Sequence, residues 1–362
     1  MTTFSRRALF GARGAAGDLS RRRLLLGGAA VGAGALLTAC TSNEAAPVNT
    51  QTQGANQGDP NSAPGETVTI GFSAPAADHG WMAAITNNAR AQAEAYSDVE
   101  FLSVEAGADA AAQRAALDTL ISQSPDAIVM LPHDGAELTA SGLQAMEAGI
   151  PVINLDRAFT QALAYRTLIK GDNYGMGVSA GNYIAAQMQQ QGIANPVIAE
   201  IAGIDSLELT QERSAGFRDA LEVHGFTIAN RRAAEFTADS GQREAANLLQ
   251  ALPEIDALWN HDDDQGIGVL AAISQANRSE FIMVGGAGSR AAIEAIQADN
   301  SVLKATVTYS PSMASSAISL ARLLAQGRGM SDLVELEVPK EITLASETIT
   351  KENASEYLSL GF

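Results

Sequence analysis

The sequence predicts an α/β protein built from doubly wound parallel sheets in two lobes. Three observations carry this. From Thr67 onward, short apolar runs alternate with alanine-rich amphipathic stretches, the pattern of strands covered on both faces by helices. The 362-residue length suits about two domains. Hydrophobic residues make up 46% and charged residues 18%, enough apolar material for a sizeable core and too little charge for global disorder.

Strands are expected at Val68–Phe72, Val99–Val104, Ala127–Leu131, Val152–Leu155, Val197–Ile201, Arg232–Glu235, Ala257–Trp259, Phe281–Val284 and Leu303–Thr308. Between them, helices are expected at Met82–Tyr96, Ala110–Ser122, Ala136–Ala148, Gly175–Gln190, Thr210–Val223, Arg243–Leu252, Gln265–Gln275, Arg290–Ala298 and Ser312–Ala325. Gly149-Ile150-Pro151 stops one helix and begins the next strand.

The front end reads as an address. Arg21-Arg22-Arg23 precede a short glycine-rich apolar run, residues 24–37, that ends in Leu37-Thr38-Ala39-Cys40. A basic flank, an apolar core and small residues at its end describe an export signal, here residues 1–39. Ser20-Arg21-Arg22-Arg23-Leu24-Leu25 resembles a twin-arginine signal, and the run into Cys40 resembles a bacterial lipobox with Cys40 as the lipidated residue. Arg6-Arg7 after Ser5 offers a second start for the same signal. The alternative is an uncleaved N-terminal anchor, which also places the body outside the cell. Cys40 is the one cysteine, so no disulfide forms within the chain. Residues 41–66 are rich in Asn, Gln, Ala, Pro, Gly and Thr and read as a flexible tether reaching about 25–30 Å. The formal net charge is −18, and the basic front end makes the remainder more acidic still. Such a body repels nucleic acid and anionic membrane surfaces.

In doubly wound sheets, ligands sit beyond the carboxyl ends of the strands. Ser73, Asp78, His79 and Trp81 follow the first strand; His133 and Asp134 the third; Asp156 and Arg157 the fourth. In the second half, Arg213, Phe236, Asp262 and Tyr309 stand at corresponding places. Carboxylates and guanidinium groups for hydroxyls, with aromatic faces for C–H surfaces, suit a carbohydrate. His133 and Asp134 read equally as a helix cap or as ligand contacts, and Phe236 equally as pocket or core. His261-Asp262-Asp263-Asp264 invites a metal, but neighbours at a strand–helix turn cannot all face one ion; helix capping is the preferred reading, and no metal or cofactor is expected. Gly285-Gly286-Ala287-Gly288 lacks the Gly-Lys-Ser/Thr of a phosphate loop. No Gly-x-Ser-x-Gly turn or spaced carboxylate pair argues for hydrolysis, so no catalytic residue is assigned.

These segments resemble the ribose-type periplasmic binding proteins, the type I solute-binding proteins of ABC importers. Ile150-Pro151-Val152-Ile153-Asn154-Leu155-Asp156-Arg157 is similar to the family's IPVITLDR, and Asp172-Asn173 with Gly175 to its DN-x-x-G stretch. Glu212-Arg213-Ser214-Ala215-Gly216-Phe217 is similar to ER-x-x-GF, Asn260 through Asp264 to the family's xNDxxA-x-G turn, and Val284-Gly285-Gly286 to VGFDG. The resemblance implies a hinge, with one lobe at 67–170 plus 309–336 and the other at 171–308 plus 337–362. It implies that Trp81 stacks on a sugar ring, that Asp156 and Arg157 bind hydroxyls, and that Arg213, Phe236 and Asp262 line the second lobe. Tyr309 stands where the family often has glutamine. Leu131 and Ala287 depart from the family's asparagine and aspartate, and Asp78-His79-Gly80-Trp81 replaces Asn-Pro-Phe, so the identity of the sugar does not follow. The expected partners are a sugar or polyol, an importer permease and the membrane through Cys40, with the protein a monomer on the outer face of the cytoplasmic membrane or in the periplasm. A sensor passing its ligand state to a membrane receptor, and an exported enzyme, are the other readings.

Overall fold

The computed structural model describes residues 63–104, 106–328 and 338–362. The expected export signal, Cys40 and most of the tether lie outside the described residues. Among those described, the chain runs β1 (Val68–Ser73), α1 (Gly80–Glu94), β2 (Val99–Ser103), α2 (Ala110–Ser122), β3 (Ala127–Met130), α3 (Gly135–Glu147), β4 (Val152–Leu155) and β5 (Thr167–Gly171). It continues with α4 (Asn173–Gln190), β6 (Ile198–Ala202), α5 (Glu208–Val223), β7 (Ile228–Ala233), α6 (Ala238–Ala251), β8 (Ala257–Asn260), α7 (Asp263–Gln275), β9 (Ile282–Ala287), α8 (Arg290–Ala298) and β10 (Leu303–Thr308). It ends with α9 (Met313–Ala325), β11 (Glu341–Leu344), β12 (Thr348–Thr350) and α10 (Ala354–Tyr357).

Two six-stranded sheets result, ordered β11-β5-β4-β3-β1-β2 and β12-β10-β9-β8-β6-β7. The pairings are parallel except β10 with β12. Buried strands such as β3 (AIVM) and β4 (VINL) lie at sheet centres, where both faces are covered. Edge strand β7 alternates half-buried and exposed residues. It lies upstream of the expected Arg232–Glu235, because its outward polar residues mask the apolar run that marks a central strand.

The chain crosses between sheets after β5, after β10 and after β11. The crossings are tied together: Asp172 N–H donates to Leu344 O at 2.8 Å, and Thr308 and Glu347 exchange two bonds at 2.8 Å. One expected boundary is corrected. β11 pairs with β5 in the first sheet, so the return to the second lobe comes after Leu344 rather than before Val338. Short edge strands in a polar tail carry little apolar signal.

Local chemistry starts the helices. Asp109, Asp134, Asp172, Asp262 and Ser289 each accept a backbone N–H in the first turn of α2, α3, α4, α7 and α8, satisfying donors that have no partner within the helix. Helix α1 differs: His79 at its N-cap makes no such bond.

Candidate functional site

The carboxyl ends of both sheets face one another, and the rim residues meet there. On the first lobe, Asp156 leaves β4 with φ +65°, a left-handed conformation that aspartate tolerates better than most residues. Buried Asn154 holds this turn, donating to Arg157 O at 3.0 Å and accepting Phe159 N–H at 2.9 Å. Arg157 donates to the carbonyls of His133 and Pro132, and its Nε lies 3.8 Å from Asp156 Oδ2. That Nε is buried without a hydrogen-bond partner, a donor left available to a ligand. Burial lowers the Arg157 pKa against the opposing charge of Asp156.

On the second lobe, α4 and α5 bring Arg213 inward. A Cβ on Gly177 would lie 2.1 Å from Arg213 O, and one on Gly216 would lie 2.1 Å from Tyr174 O. These glycines therefore let two helix backbones touch. Arg213 donates to Asn173 Oδ1 at 3.0 Å and to His261 O at 3.3 Å. Its guanidinium carbon stands 4.4 Å from the Tyr309 ring centroid and 5.9 Å from that of Phe236, in cation–π range.

Tyr309 joins the lobes because it lies on the second crossing. Its N–H donates to Ala287 O, its hydroxyl to Asp156 Oδ1, and its carbonyl accepts Trp81 Nε1–H at 2.8 Å. The Trp81 and Tyr309 rings lie 5.7 Å apart. Burial and the Asp156 charge push the Tyr309 hydroxyl far above the ordinary phenol range, so it acts as a donor. Phe236 turns back at φ +61°. It packs with Leu207 and Leu209 and also faces His79 at 6.3 Å, so it serves core and cleft together.

The acidic run Asp262 to Asp264 divides its work. Asp262 caps α7 at the cleft, and burial pushes its pKa up to about 6. Asp263 is buried and accepts the N–H groups of Gly286, Gly288 and Ser289 with the Thr306 hydroxyl. The donors of the glycine-rich turn are thus spent on Asp263, which explains why it is no phosphate loop. Asp264 reaches the other lobe and accepts Trp81 N–H at 2.8 Å. His261 pairs with Glu200 at 2.8 Å beneath the site. These neighbours point to separate partners.

The cleft therefore gathers Trp81, His79, Asp156, Arg157, Arg213, Phe236, Asp262 and Tyr309. The other four expected residues are held by partners at the margin of that group. Ser73, the buried last residue of β1, accepts from Gln113 Nε2 at 3.1 Å. Asp78 is largely exposed and bonds the His79 ring. His133 contributes backbone groups, donating to Gln113 and accepting from Arg157. Asp134 caps α3, and it also borders a cavity of about 110 Å³ walled further by Asp156, Arg157, Lys170, Asn173 and Glu212. Leu131 is buried, and Ala287 takes φ +90°; neither offers a side-chain hydrogen bond. Asn173 and Asp264 are additions to the expected set. Asn173 had a signal in the Asp-Asn stretch, whereas Asp264 had one only as part of the capping run, and its partner lies 183 residues away.

The chain is 28% identical over 210 residues to the ribose import binding protein RbsB of Bacillus subtilis, covering 58% of this chain and 66% of that one. It is 31% identical over 184 residues to that of Escherichia coli, covering 51% and 60%. The matches span less than two thirds of these relatives. An ABC transporter solute binding protein of Mycobacterium smegmatis, crystallised with bound glycerol, superposes with a TM-score of 0.73 at 26% identity, covering 81% of this chain and 97% of that one. Residues 70–329 match the family described as "Periplasmic binding protein domain". With its two sheets and the cleft at their carboxyl ends, this chain belongs to the periplasmic binding protein domain family.

Proposed function

We propose that this protein is an extracytoplasmic solute-binding protein that captures a small sugar or polyol between its lobes and delivers it to an ABC importer. One observation carries the reading: hydrogen-bonding side chains from both sheets, Asp156 and Arg157 from one and Asn173, Arg213 and Asp262 from the other, converge around the Trp81–Tyr309 pair. Arg157, Arg213 and Asn173 donate to ligand oxygens, Asp156 and Asp262 accept hydroxyls, and the indole covers a C–H face. Enclosure makes every ligand hydroxyl need a partner, and an unpaired one is what discriminates against wrong solutes.

The relatives' names support transport of this solute class, and the residues support binding rather than chemistry. Cys40 as a lipid anchor, with export through the preceding signal, would hold the body at the outer membrane face near a permease, as a monomer on its tether. Mass spectrometry of Cys40, compared with a Cys40→Ala variant found in the soluble fraction, tests the anchor. For the site, titration calorimetry with ribose, glycerol and myo-inositol identifies a binding solute. Trp81→Ala and Arg157→Ala should each then weaken its affinity at least tenfold. Unchanged affinity in both overturns the site, and a chemically altered solute overturns the non-enzymatic reading.

A further inference from the structure

We infer that Asp264 is an interlobe latch: it caps helix α1 from the opposite lobe and positions Trp81 when the lobes close. Helix α1 starts without a cap of its own, because the His79 side chain turns to Asp78 instead of the first-turn N–H groups. Asp264, in the first turn of α7 on the second sheet's lobe, supplies the missing acceptor. Its Oδ2 takes the Trp81 N–H at 2.8 Å. Its Oδ1 sits over Gly80, where a Cβ would lie 2.7 Å away. A side chain at position 80 would therefore displace that carboxylate from its place over the start of α1.

The electrostatics agree with the geometry. An anion at a helix N-terminus meets the positive end of its dipole, and His79 lies beside Asp78, Asp262 and Asp264. The consequence falls on Trp81. Its backbone is held by Asp264 from the second lobe, and its indole N–H is held by the carbonyl of Tyr309 on the crossing segment after β10. Separation of the lobes removes the first hold and leaves the opening turn of α1 uncapped. Order at Trp81 is thereby coupled to closure. The inference rests on the two-lobe fold and holds whichever solute enters.

The test is hydrogen exchange of the full chain, with small-angle scattering as a measure of closure. Asp264→Ala should speed exchange in the first turn of α1 by roughly 5–10-fold, the range expected for a lost helix cap, and enlarge the radius of gyration. Asp264→Asn keeps the acceptor and should restore part of the protection. Gly80→Ala approaches the same contact from the other lobe; it should reproduce the Asp264→Ala pattern and add little to it in the double variant. Unchanged α1 exchange in Asp264→Ala overturns the latch. So does exchange rising as much within α7 as in α1, because Asp264 would then serve only its own helix. Additive effects in the double variant overturn it as well. None of these readouts uses a solute, so their failure is separate from failure of the sugar-binding proposal.

Discussion

At residue scale, the Tyr309 hydroxyl is the donor that keeps a buried carboxylate satisfied. Tyr309→Phe leaves Asp156 with Arg157 Nε at 3.8 Å as its neighbouring cation. Loss of a buried hydrogen bond to a charged group costs about 1–3 kcal/mol, so denaturant titration should show destabilisation of that order; a neutral result would mean that the bond adds nothing. His79 gives a pH signature. Burial pulls its pKa down, but the Asp78 hydrogen bond and the charges of Asp262, Asp78 and Asp264 outweigh it and hold it above the ordinary value. A raised value means tighter proton binding in the folded chain. Its stabilisation is complete below the unfolded pKa and lost as pH rises through the folded one. The stability of the parent relative to His79→Gln should therefore be greater at pH 6 than at pH 8, measured by thermal unfolding of both. A gap that shrinks toward pH 6 reverses the assigned sign.

At element scale, the approach of α4 to α5 places Arg213. Gly177→Ala sets a methyl group against Arg213 O and must spread the helices. Overpacking of this kind costs about 1–3 kcal/mol. Solute affinity should fall together with stability, since the same carbonyl belongs to the residue whose guanidinium faces the cleft. Lost stability with intact affinity would show that Arg213 adjusts independently of its helix. Asp263 makes a comparable anchor in the β9–α8 turn. Its removal frees three buried N–H groups, those of Gly286, Gly288 and Ser289.

At the scale of the whole molecule, Arg322 of α9 ties the start of the described body to the first lobe. Asp98 accepts its Nε at 2.8 Å and its Nη2 at 2.6 Å, together with Gln326 and the Gly65 N–H, while Arg322 also donates to Ala63 O. Burial alone would raise the Asp98 pKa, but these donors hold it well below the carboxylate range. A depressed value contributes stability above the unfolded pKa, lost as pH falls through the folded one. Arg322→Ala strands a buried carboxylate and should cost about 3–5 kcal/mol. It should also flatten the loss of stability below about pH 4. An unfolding midpoint unchanged at pH 7 would refute the clasp. The clasp pairs residues more than 220 positions apart, as the latch at Asp264 does across 183.

The sequence by itself determined the strand–helix alternation, the positions of Asp156, Arg157 and Tyr309 just past strand ends, and the glycines of α4 and α5. These are properties of apolar period and local residue chemistry, which neighbours in the chain decide. Strands β11 and β12 carry little apolar signal because they are short, partly polar edge strands, and β5, though interior, offers only Leu168-Ile169 between Thr167 and Lys170. Only the tertiary structure decided that Ser73 meets Gln113 and Asp78 the His79 ring, that Asp263 spends the glycine turn's donors, and that Asp264 accepts from a helix of the other lobe. Each depends on which side chains meet once two distant segments are folded together, and an aspartate's environment is set by partners that no local pattern announces.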